Sequence, residues 1–206
     1  MHRLLARVYQ DSAAIASGRF IERHEFQVFQ RKCERGMATD VPSGVELRVF
    51  ERPTDILALT DQGYDLGTPN NYTDALAPTY VGGKLYALFV GKRLAHFSRS
   101  MADRRDPNFG PFLPGIGHPK DICIGPCHTD PAYRGKGLYA LALNRICADA
   151  GAQGTGAALI YSSTTNSSSI NGIIKADFKS IGRITRNRWL LWTLTKFTSD
   201  QGQDLS

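Results

Sequence analysis

The chain has 206 residues, 42% of them hydrophobic and 21% charged, and 25 Lys and Arg against 19 Asp and Glu give a net charge of +6. This length and composition indicate one globular domain over residues 1–206, with residues 1–43 available as an N-terminal extension, and they exclude a disordered, collagen-like or small disulfide-rich protein. No apolar run approaches the ~18 residues of a membrane-spanning helix, so we expect no membrane partner.

The first elements of the chain are weakly patterned. Residues 1–18 are predicted to be helical. Residues 25–34 and 45–51 alternate partly between apolar and polar side chains, and the turn-forming residues 41–44 between them predict a hairpin.

A short helix over residues 56–61 follows, with Thr54 or Asp55 as its N-cap. The later elements are clearer, and in chain order they are a hairpin of strands 84–90 and 93–100, a long loop 103–120, strand 122–129, helix 137–150, strand 157–163, helix 166–176, and strands 180–186 and 188–195. This order predicts a mixed sheet with helices on both faces. A loop as long as the one before residue 121 is usually functional.

The four cysteines are Cys33, Cys123, Cys127 and Cys147, and their spacing matches no common zinc pattern. We therefore expect no metal and interpret them as free, mostly buried thiols in a reducing compartment. Arg7 interrupts the N-terminal apolar stretch, which argues against a secretory signal, so the predicted location is the cytoplasm, with an organellar presequence as the alternative.

The positive charge is scattered along the chain. A basic pair such as Arg104–Arg105 is flanked by Asp103 and Asp106, and no dense block of Lys and Arg is present. We interpret most of the excess as solvated surface, and we expect no nucleic acid among the partners.

One predicted strand–helix junction has the composition of an anion site. Residues 129–139 read Thr-Asp-Pro-Ala-Tyr-Arg-Gly-Lys-Gly-Leu-Tyr. The two glycines let the backbone approach a ligand closely and adopt positive φ. The first amides of the helix have no intrahelical acceptor, and the helix dipole adds partial positive charge there, so a pyrophosphate is the natural ligand.

Other phosphate-binding loops do not fit this junction. Gly137 is followed by Leu138, without the Lys-Ser/Thr of a Walker loop, and Ala140 would have to be the third glycine of a dinucleotide motif. The purely structural alternative is a tight turn whose glycines serve packing.

The segment Pro131-Ala-Tyr-Arg-Gly-Lys-Gly137 resembles the acyl-CoA-binding motif of the GCN5-related N-acetyltransferase (GNAT) superfamily, Pro-x-Tyr-Arg-Gly-x-Gly. Residues 166–170 and 175–182 resemble the family's downstream signature, Asn-x-x-(Ala/Ser)-Ile followed by Lys-x-Gly-Phe. The resemblance covers roughly residues 121–194. It implies an α/β (α+β) fold with a mixed, mostly antiparallel twisted sheet, helices on both faces and splayed central strands.

The resemblance also implies a binding site for acetyl-CoA or another acyl-CoA as cosubstrate. The backbones of Cys127 and Thr129 would pair with the pantetheine arm, and Asn166 would hydrogen-bond to the same arm. On residue preference alone Asn166 is equally a helix N-cap, and the two roles can coexist. The pyrophosphate would be held by amides and charges of the loop, namely those of Arg134, Gly135, Lys136, Gly137 and Leu138.

Acyl transfer from the thioester to an amine requires a base, an N–H that polarises the carbonyl, and a proton for the leaving thiolate. Asp121 stands where some family members place a catalytic carboxylate, and His128 is the competing base. Each candidate base has a structural alternative, in which Asp121 only ends a loop and His128 is a structural histidine. The amine can also lose its proton to water without a base from the protein.

The oxyanion would be stabilised by the amide of Gly125 or Cys127, because Pro126 has no N–H. Strand alternation puts residues 121, 123, 125 and 127 on one face and residue 128 on the other, unless a bulge at Gly125-Pro126 resets the phase. Cys123 and Cys127 are also conceivable nucleophiles, with only His128 as an activating neighbour.

The chain departs from the family pattern at the proton donor. Ile173 stands where many family members have a tyrosine acid, and Asp177 replaces the glycine before Phe178. Tyr139 and Tyr161 are the other hydroxyls considered, and we interpret both as packing residues.

The leading hypothesis is an N-acyltransferase that moves an acetyl or other short acyl group from acyl-CoA to the amine of a small acceptor. The acceptor would lie against the loop 103–120, where an anionic group would find the basic side chains of Arg104, Arg105, His118 and Lys120. The alternatives are a non-catalytic acyl-CoA-binding or scaffold domain and, less favoured, a nucleic-acid-binding module. The expected assembly is a monomer or homodimer.

Overall fold

The computed structural model describes residues 22–36, 40–68, 76, 83–101, 116–118, 120–189, 192–200 and 204–205. Its strands, in chain order, are β1 Glu22–Lys32, β2 Val45–Phe50, β3 Gly83–Val90, β4 Arg93–Met101, β5 Ile122–Thr129, β6 Ala157–Ser163, β7 Lys179–Trp189, β8 Trp192–Ser199 and β9 Asp204–Leu205. The described residues also include two α-helices, α1 Leu138–Ala152 and α2 Ser167–Lys175, and two 3-10 helices, Pro53–Gln62 and Pro131–Tyr133.

The nine strands form one sheet in the order β2-β3-β4-β5-β6-β1-β7-β8-β9. Neighbouring strands are antiparallel except β5 and β6, which are parallel. This parallel ladder joins only Ile122–Ile124 to Ala158–Ile160, although both strands continue for several residues. The mixed, mostly antiparallel sheet with splayed central strands is therefore confirmed.

Helices cover both faces of the sheet, as predicted. The residues of α1 that are spaced at one-turn intervals, including Leu143, Ile146 and Cys147, are buried against β5 and β6 together with Ile173 of α2. On the opposite face, Ile56 of the first 3-10 helix packs with apolar residues of β3 and β4. The sheet is thus the middle layer of three.

The predicted hairpin of residues 25–34 and 45–51 is wrong. β1 pairs with β6 and β7, while β2 pairs with β3. The turn is real, with a 3.1 Å hydrogen bond from the Val45 amide to the Pro42 carbonyl, but turn chemistry does not specify which strands pair. Because Glu22–Lys32 lies inside the sheet, this part of residues 1–43 is not an appended extension.

Two smaller expectations also need correction. The helix near residues 56–61 is a 3-10 helix over Pro53–Gln62, whose N-cap is Arg52 without a side-chain hydrogen bond, so neither Thr54 nor Asp55 caps it. The predicted strand 188–195 is divided between two strands. Its first residues end β7 and its last residues begin β8, and these two strands pair antiparallel with Trp189 opposite Trp192.

The other elements of the second half agree with the prediction, and the hairpin of β3 and β4 is confirmed with its turn at Gly91-Lys92. The predicted helix over residues 1–18 and residues 103–115 and 119 of the long loop lie outside the described residues.

The four cysteines are free thiols, and all but Cys127 are buried, as expected. Among the residues that the structure describes, no group of His, Cys, Asp or Glu side chains could hold a metal ion. Within the same residues, no helix has the length and apolar character needed to cross a bilayer.

Candidate active site

A cavity of about 570 Å³ opens where β5 and β6 diverge. Its walls are the end of β5, the segment that leads into α1, the first turn of α1, and the cavity-facing side of α2. The cavity therefore lies at the carboxyl end of the two central strands. Most of the residues predicted to form the site are found here.

The segment from Asp130 to Gly137 is anchored at its first residue. The Asp130 carboxylate accepts a 2.9 Å hydrogen bond from the Ala132 amide and a 2.9 Å ion pair from Arg93 at the start of β4. These contacts lower the pKa of Asp130 below its usual value, the amide hydrogen bond being the larger cause. The turn is thus fixed to the sheet before the chain reaches the glycines.

The glycines of this segment have the conformation that the sequence predicts. Gly135 and Gly137 have φ of 78° and 77°, in the left-handed region that favours glycine. A Cβ built at either position would meet no atom within 4 Å, so the backbone borders open space. The loop can therefore receive a ligand directly against its main chain.

The amides of this loop are available as donors. Gly137 is the N-cap of α1, and the first helical hydrogen bond runs 3.0 Å from the Leu141 amide to the Gly137 carbonyl. Within the described part of the chain, the amides of residues 135–138 make no hydrogen bond. Arg134 and Lys136 add positive charge, with Lys136 Nζ 4.8 Å from the ring centre of Tyr133. Donors, helix dipole and cations all favour an anion here.

The backbone of β5 presents a free edge to the cavity. The Asp130 amide donates to Ala95 of β4 over 3.0 Å, so strand alternation turns the backbone groups of Cys127 and Thr129 away from β4 and towards β6. No ladder pair joins β5 to β6 at these residues. The Thr129 carbonyl has only a long contact, 3.4 Å, from Arg134 Nε. An extended ligand can add to this edge as a strand would.

Asn166 caps α2, since its side-chain oxygen accepts from the Ser169 amide over 3.1 Å. It also lines the cavity, across the gap from the end of β5. The N-cap interpretation is therefore correct, and a hydrogen bond from Asn166 to a pantetheine arm stays a prediction.

A buried hydrogen-bonded chain forms the inner wall of the cavity. His96 of β4 contacts Thr129 Oγ1 through Nδ1 at 2.7 Å and Ser98 Oγ through Nε2 at 2.8 Å. Ser98 contacts the Cys127 thiol, which also contacts the Tyr139 hydroxyl. Burial lowers the pKa of His96 to about 3 and raises the pKa of Cys127 to about 11, so both side chains are neutral near pH 7.

A bulge in β5 decides which side chains face this wall. Between Cys127 and Ile124, which lie opposite Ser98 and Ser100, β5 has one residue more than β4, and the Gly125-Pro126 peptide bond is cis. The bulge resets the alternation, as the sequence analysis allowed. Ile124 and Cys127 therefore both face the helices.

Cys123 lies on the opposite face from Cys127, in a separate apolar cluster. His128 also turns away from Cys127, and its ring stacks on Phe97 with 5.9 Å between the ring centres. Burial lowers the pKa of His128, and within the described chain its Nε2 atom is buried without a hydrogen-bond partner.

Asp121 is not brought to the cavity. It is 3% exposed, and its carboxylate accepts a 2.7 Å hydrogen bond from the His118 amide in the turn before β5. At ~3.3 Å per strand residue, it lies about 20 Å along the strand from Cys127. The geometry gives this carboxylate a structural role in the turn, and a catalytic role stays an untested prediction.

The tyrosine that the sequence analysis treated as a packing residue lines the cavity. Tyr139 is the second residue of α1, and its hydroxyl lies 3.5 Å from Ser169 Oγ of α2. Ile173 is fully buried in the core under α2. The Tyr139 ring packs against Gly172 of α2, where a Cβ would lie 2.4 Å from Tyr139 Cδ1. A glycine inside a predicted helix is the sequence signal that could have indicated this contact.

The fold is shared with solved acetyltransferase structures. A GNAT-family protein from Novosphingobium aromaticivorans is 18% identical with a TM-score of 0.50, over 86% of this chain and 66% of that one. A GCN5-related N-acetyltransferase from Sphaerobacter thermophilus is 12% identical with a TM-score of 0.52, over 94% and 58%. A GNAT-family acetyltransferase from Colwellia psychrerythraea is 14% identical with a TM-score of 0.50, over 82% and 57%.

The chain thus spans between 57% and 66% of the length of these three proteins. No protein-family model and no curated protein matches its sequence. At such low identities the likeness establishes the fold, and the resemblance to the GNAT superfamily is confirmed at that level.

Proposed function

We propose that this chain, which has the GNAT fold, transfers an acetyl or other short acyl group from acyl-CoA to the amine of a small acceptor. One observation supports the proposal. The unbonded amides of residues 135–138 lie at the end of the gap between β5 and β6, and the backbone of β5 that faces this gap is unpaired. A diphosphate and an extended amide-bearing arm are the two parts of a ligand that match these features in that order.

The loop would hold the pyrophosphate and the strand edge the pantetheine arm. With the pyrophosphate at Gly135–Leu138, the arm runs back along Thr129 towards Cys127 and brings the thioester to the β5 bulge. There the Cys127 amide points into the gap and can donate to the carbonyl oxygen as negative charge develops on it. This places the oxyanion donor at one of the two amides that the sequence analysis considered.

We assign the base to His128 or to water at this bulge. The lowered pKa of His128 keeps its ring neutral near pH 7, which a proton acceptor requires. Asp121 is the weaker candidate, because its carboxylate is engaged by the His118 amide. An acceptor would approach from the side of His128, opposite the helices.

The first test is ligand binding. A ligand present at ~100 times its Kd should stabilise the protein by about 2.7 kcal/mol, so unfolding followed with acetyl-CoA, CoA and longer acyl-CoAs reports both affinity and chain-length preference. Absence of any shift with all three would contradict the proposal.

The second test separates an enzyme from a non-catalytic acyl-CoA-binding domain. An isoleucine at position 173 and the engagement of Asp121 favour that alternative, since the family's proton donor is replaced by an apolar side chain and one candidate base accepts a hydrogen bond from the His118 amide. CoA release from acetyl-CoA is measured over a panel of amines for the wild type and for His128→Gln. Binding without turnover of any amine would support the non-catalytic domain.

A further inference from the structure

Two thiols lie in contact at the end of the sheet opposite the cavity. Cys33 directly follows β1, which ends beside the first residue of β6, and Cys147 is in the second half of α1. Their side chains are hydrogen-bonded to each other inside the apolar cluster between α1 and the sheet. The cavity opens at the other end of β6 and neither thiol lines it, so the proposed function leaves this pair unused.

The backbones that carry the two thiols are packed directly against each other. Gly151 is about one turn after Cys147 on α1, and a Cβ there would lie 2.5 Å from the Glu34 carbonyl oxygen. The Cys33 amide donates to the Gly156 carbonyl over 3.0 Å, which holds the end of β1 beside the start of β6. A disulfide requires Cα atoms about 5.5–6 Å apart, and a close approach of strand and helix backbones is what makes such a spacing possible.

The two thiols differ in their access to solvent and in their acidity. Cys33 is 8% exposed and is followed by exposed residues 34–36, whereas Cys147 is fully buried. The hydrogen bond with Cys147 is the largest cause of a lowered pKa at Cys33. Burial opposes it, the Arg31 guanidinium favours the thiolate, and the charge of Asp121 disfavours it. Because nucleophilic attack requires the thiolate, Cys33 is the thiol suited to attack and Cys147 the thiol suited to resolve.

We propose that Cys33 and Cys147 are a site of redox modification, at which a hydroperoxide converts the two thiols into a reversible disulfide. The Cys33 sulfur attacks the peroxide and the O–O bond breaks. The thiol proton ends on the leaving oxygen, which departs as an alcohol, or as water from hydrogen peroxide. The product at Cys33 is a sulfenic acid.

The second step closes the cross-link. The Cys147 sulfur attacks the sulfenic sulfur, the S–O bond breaks, and the hydroxyl group leaves as water with the proton of the Cys147 thiol. Over both steps the two thiols lose two electrons and the peroxide gains them. A dithiol reductant reverses the reaction by thiol–disulfide exchange. The cross-link joins the central strand β1 to α1, the helix that begins at the amide loop.

The other two cysteines do not form such a pair, although they are only four residues apart. Cys123 and Cys127 face opposite sides of the sheet and belong to different apolar clusters. Burial raises the pKa of Cys127 to about 11, which leaves little thiolate near pH 7. The folded chain therefore selects a pair of cysteines that are distant in sequence, and this selection is the basis of the test.

The test treats the folded full chain with hydrogen peroxide and maps the cross-link by mass spectrometry. Trypsin places Cys33 in peptide 33–35 and Cys147 in peptide 146–175. The other two cysteines share peptide 121–134. We expect the protein to lose about 2 Da and two of its four free thiols, with peptides 33–35 and 146–175 joined. A dithiol reductant should separate them. The test needs no acyl-CoA, so its outcome is independent of the proposed function.

Three controls sharpen the result. Cys123→Ser removes a buried thiol on the other face of the sheet and should leave the cross-link unchanged. Cys147→Ser should stop the reaction at the sulfenic acid of Cys33, which dimedone labels. In the chain unfolded with urea, the same oxidant should favour a link between Cys123 and Cys127, because the loop that it closes is short.

Three outcomes would overturn the proposal. They are a folded protein that links Cys123 to Cys127, one that forms only intermolecular disulfides, and one that keeps all four thiols until it unfolds. If Cys147→Ser does not fold, the peptide map of the wild type decides by itself.

Discussion

The ring of Tyr139 packs directly against the backbone of Gly172, since a Cβ at position 172 would lie 2.4 Å from Tyr139 Cδ1. The contact joins the first turn of α1 to the middle of α2 across the cavity. Because α1 carries the amide loop and α2 carries Asn166, this contact sets the distance between two walls of the site.

Gly172→Ala should therefore destabilise the protein, although alanine is the better helix former. Overpacking in a buried contact costs about 1–3 kcal/mol, against about 1 kcal/mol gained in helix propensity. In a Tyr139→Leu background the clash is removed, and the same substitution should become neutral or stabilising. Urea unfolding of the four proteins checks this reversal, and an equal cost in both backgrounds would contradict it.

Gly137→Ala should weaken acetyl-CoA binding through the loop conformation. Alanine at a φ of 77° costs about 1–2 kcal/mol and moves the amides that would face the pyrophosphate. We expect a loss of about tenfold or more in affinity, measured by calorimetry. Gly154→Ala is the matched control, because Gly154 also has positive φ and open space but lies beyond the other end of α1. It should lose stability with affinity unchanged, and equal losses of affinity would count against the loop.

His96 should make stability fall in mild acid. Its pKa is about 3 in the folded protein, against ~6.5 in an unfolded chain, so the folded state favours the neutral ring. Above pH 6.5 both states are neutral and the full stability is present. As the pH falls from 6.5 towards 3 the unfolded state takes up a proton that the folded state refuses, and stability drops by about 1.4 kcal/mol per pH unit.

The measurement is the urea midpoint at several pH values between 5 and 7.5. His96→Gln should flatten the dependence, whatever its own stability. His128→Gln should flatten it less, since its pKa is lowered in the same direction at a less buried position. A slope unaffected by His96→Gln would contradict the prediction.

Asp121→Ala should affect stability rather than cofactor affinity. Loss of a buried carboxylate that accepts the His118 amide costs about 1.5–3 kcal/mol. The acetyl-CoA Kd should stay within twofold, because the carboxylate lies far along β5 from the cavity. Asp55→Ala, at an exposed carboxylate, is the control. Turnover by folded Asp121→Ala that falls far below wild type would instead place the base at Asp121.

The second half of the fold could be predicted because its signals are local. The glycines of the loop, the apolar spacing of α1 and the length of β6 each specify a conformation within a few residues. The free amides before α1 could be predicted for the same reason, since a helix N-terminus exposes its donors in any tertiary context, and their role in binding a cofactor stays a prediction.

What the sequence could not show depends on distant partners. The place of β1 is set by pairing with β6 and β7, and the turn beside it carries no information about that choice. The position of the Tyr139 ring depends on Gly172, in a different helix, and its contact with Cys127 depends on the bulge in β5. The hydrogen bond from the His118 amide to Asp121 likewise depends on the path of the loop before β5, which no local sequence pattern specifies.

The central position of β1 has a consequence for biosynthesis. Phe26 pairs with Ser163 on one side and with Ile184 on the other, so neither partner exists until most of the chain has been made. Until then both edges of an early strand are exposed to other nascent chains. A chain that ends before residue 179 lacks β7, so one edge of β1 stays unpaired. Such fragments should be prone to co-aggregate rather than to persist as shortened, folded protein.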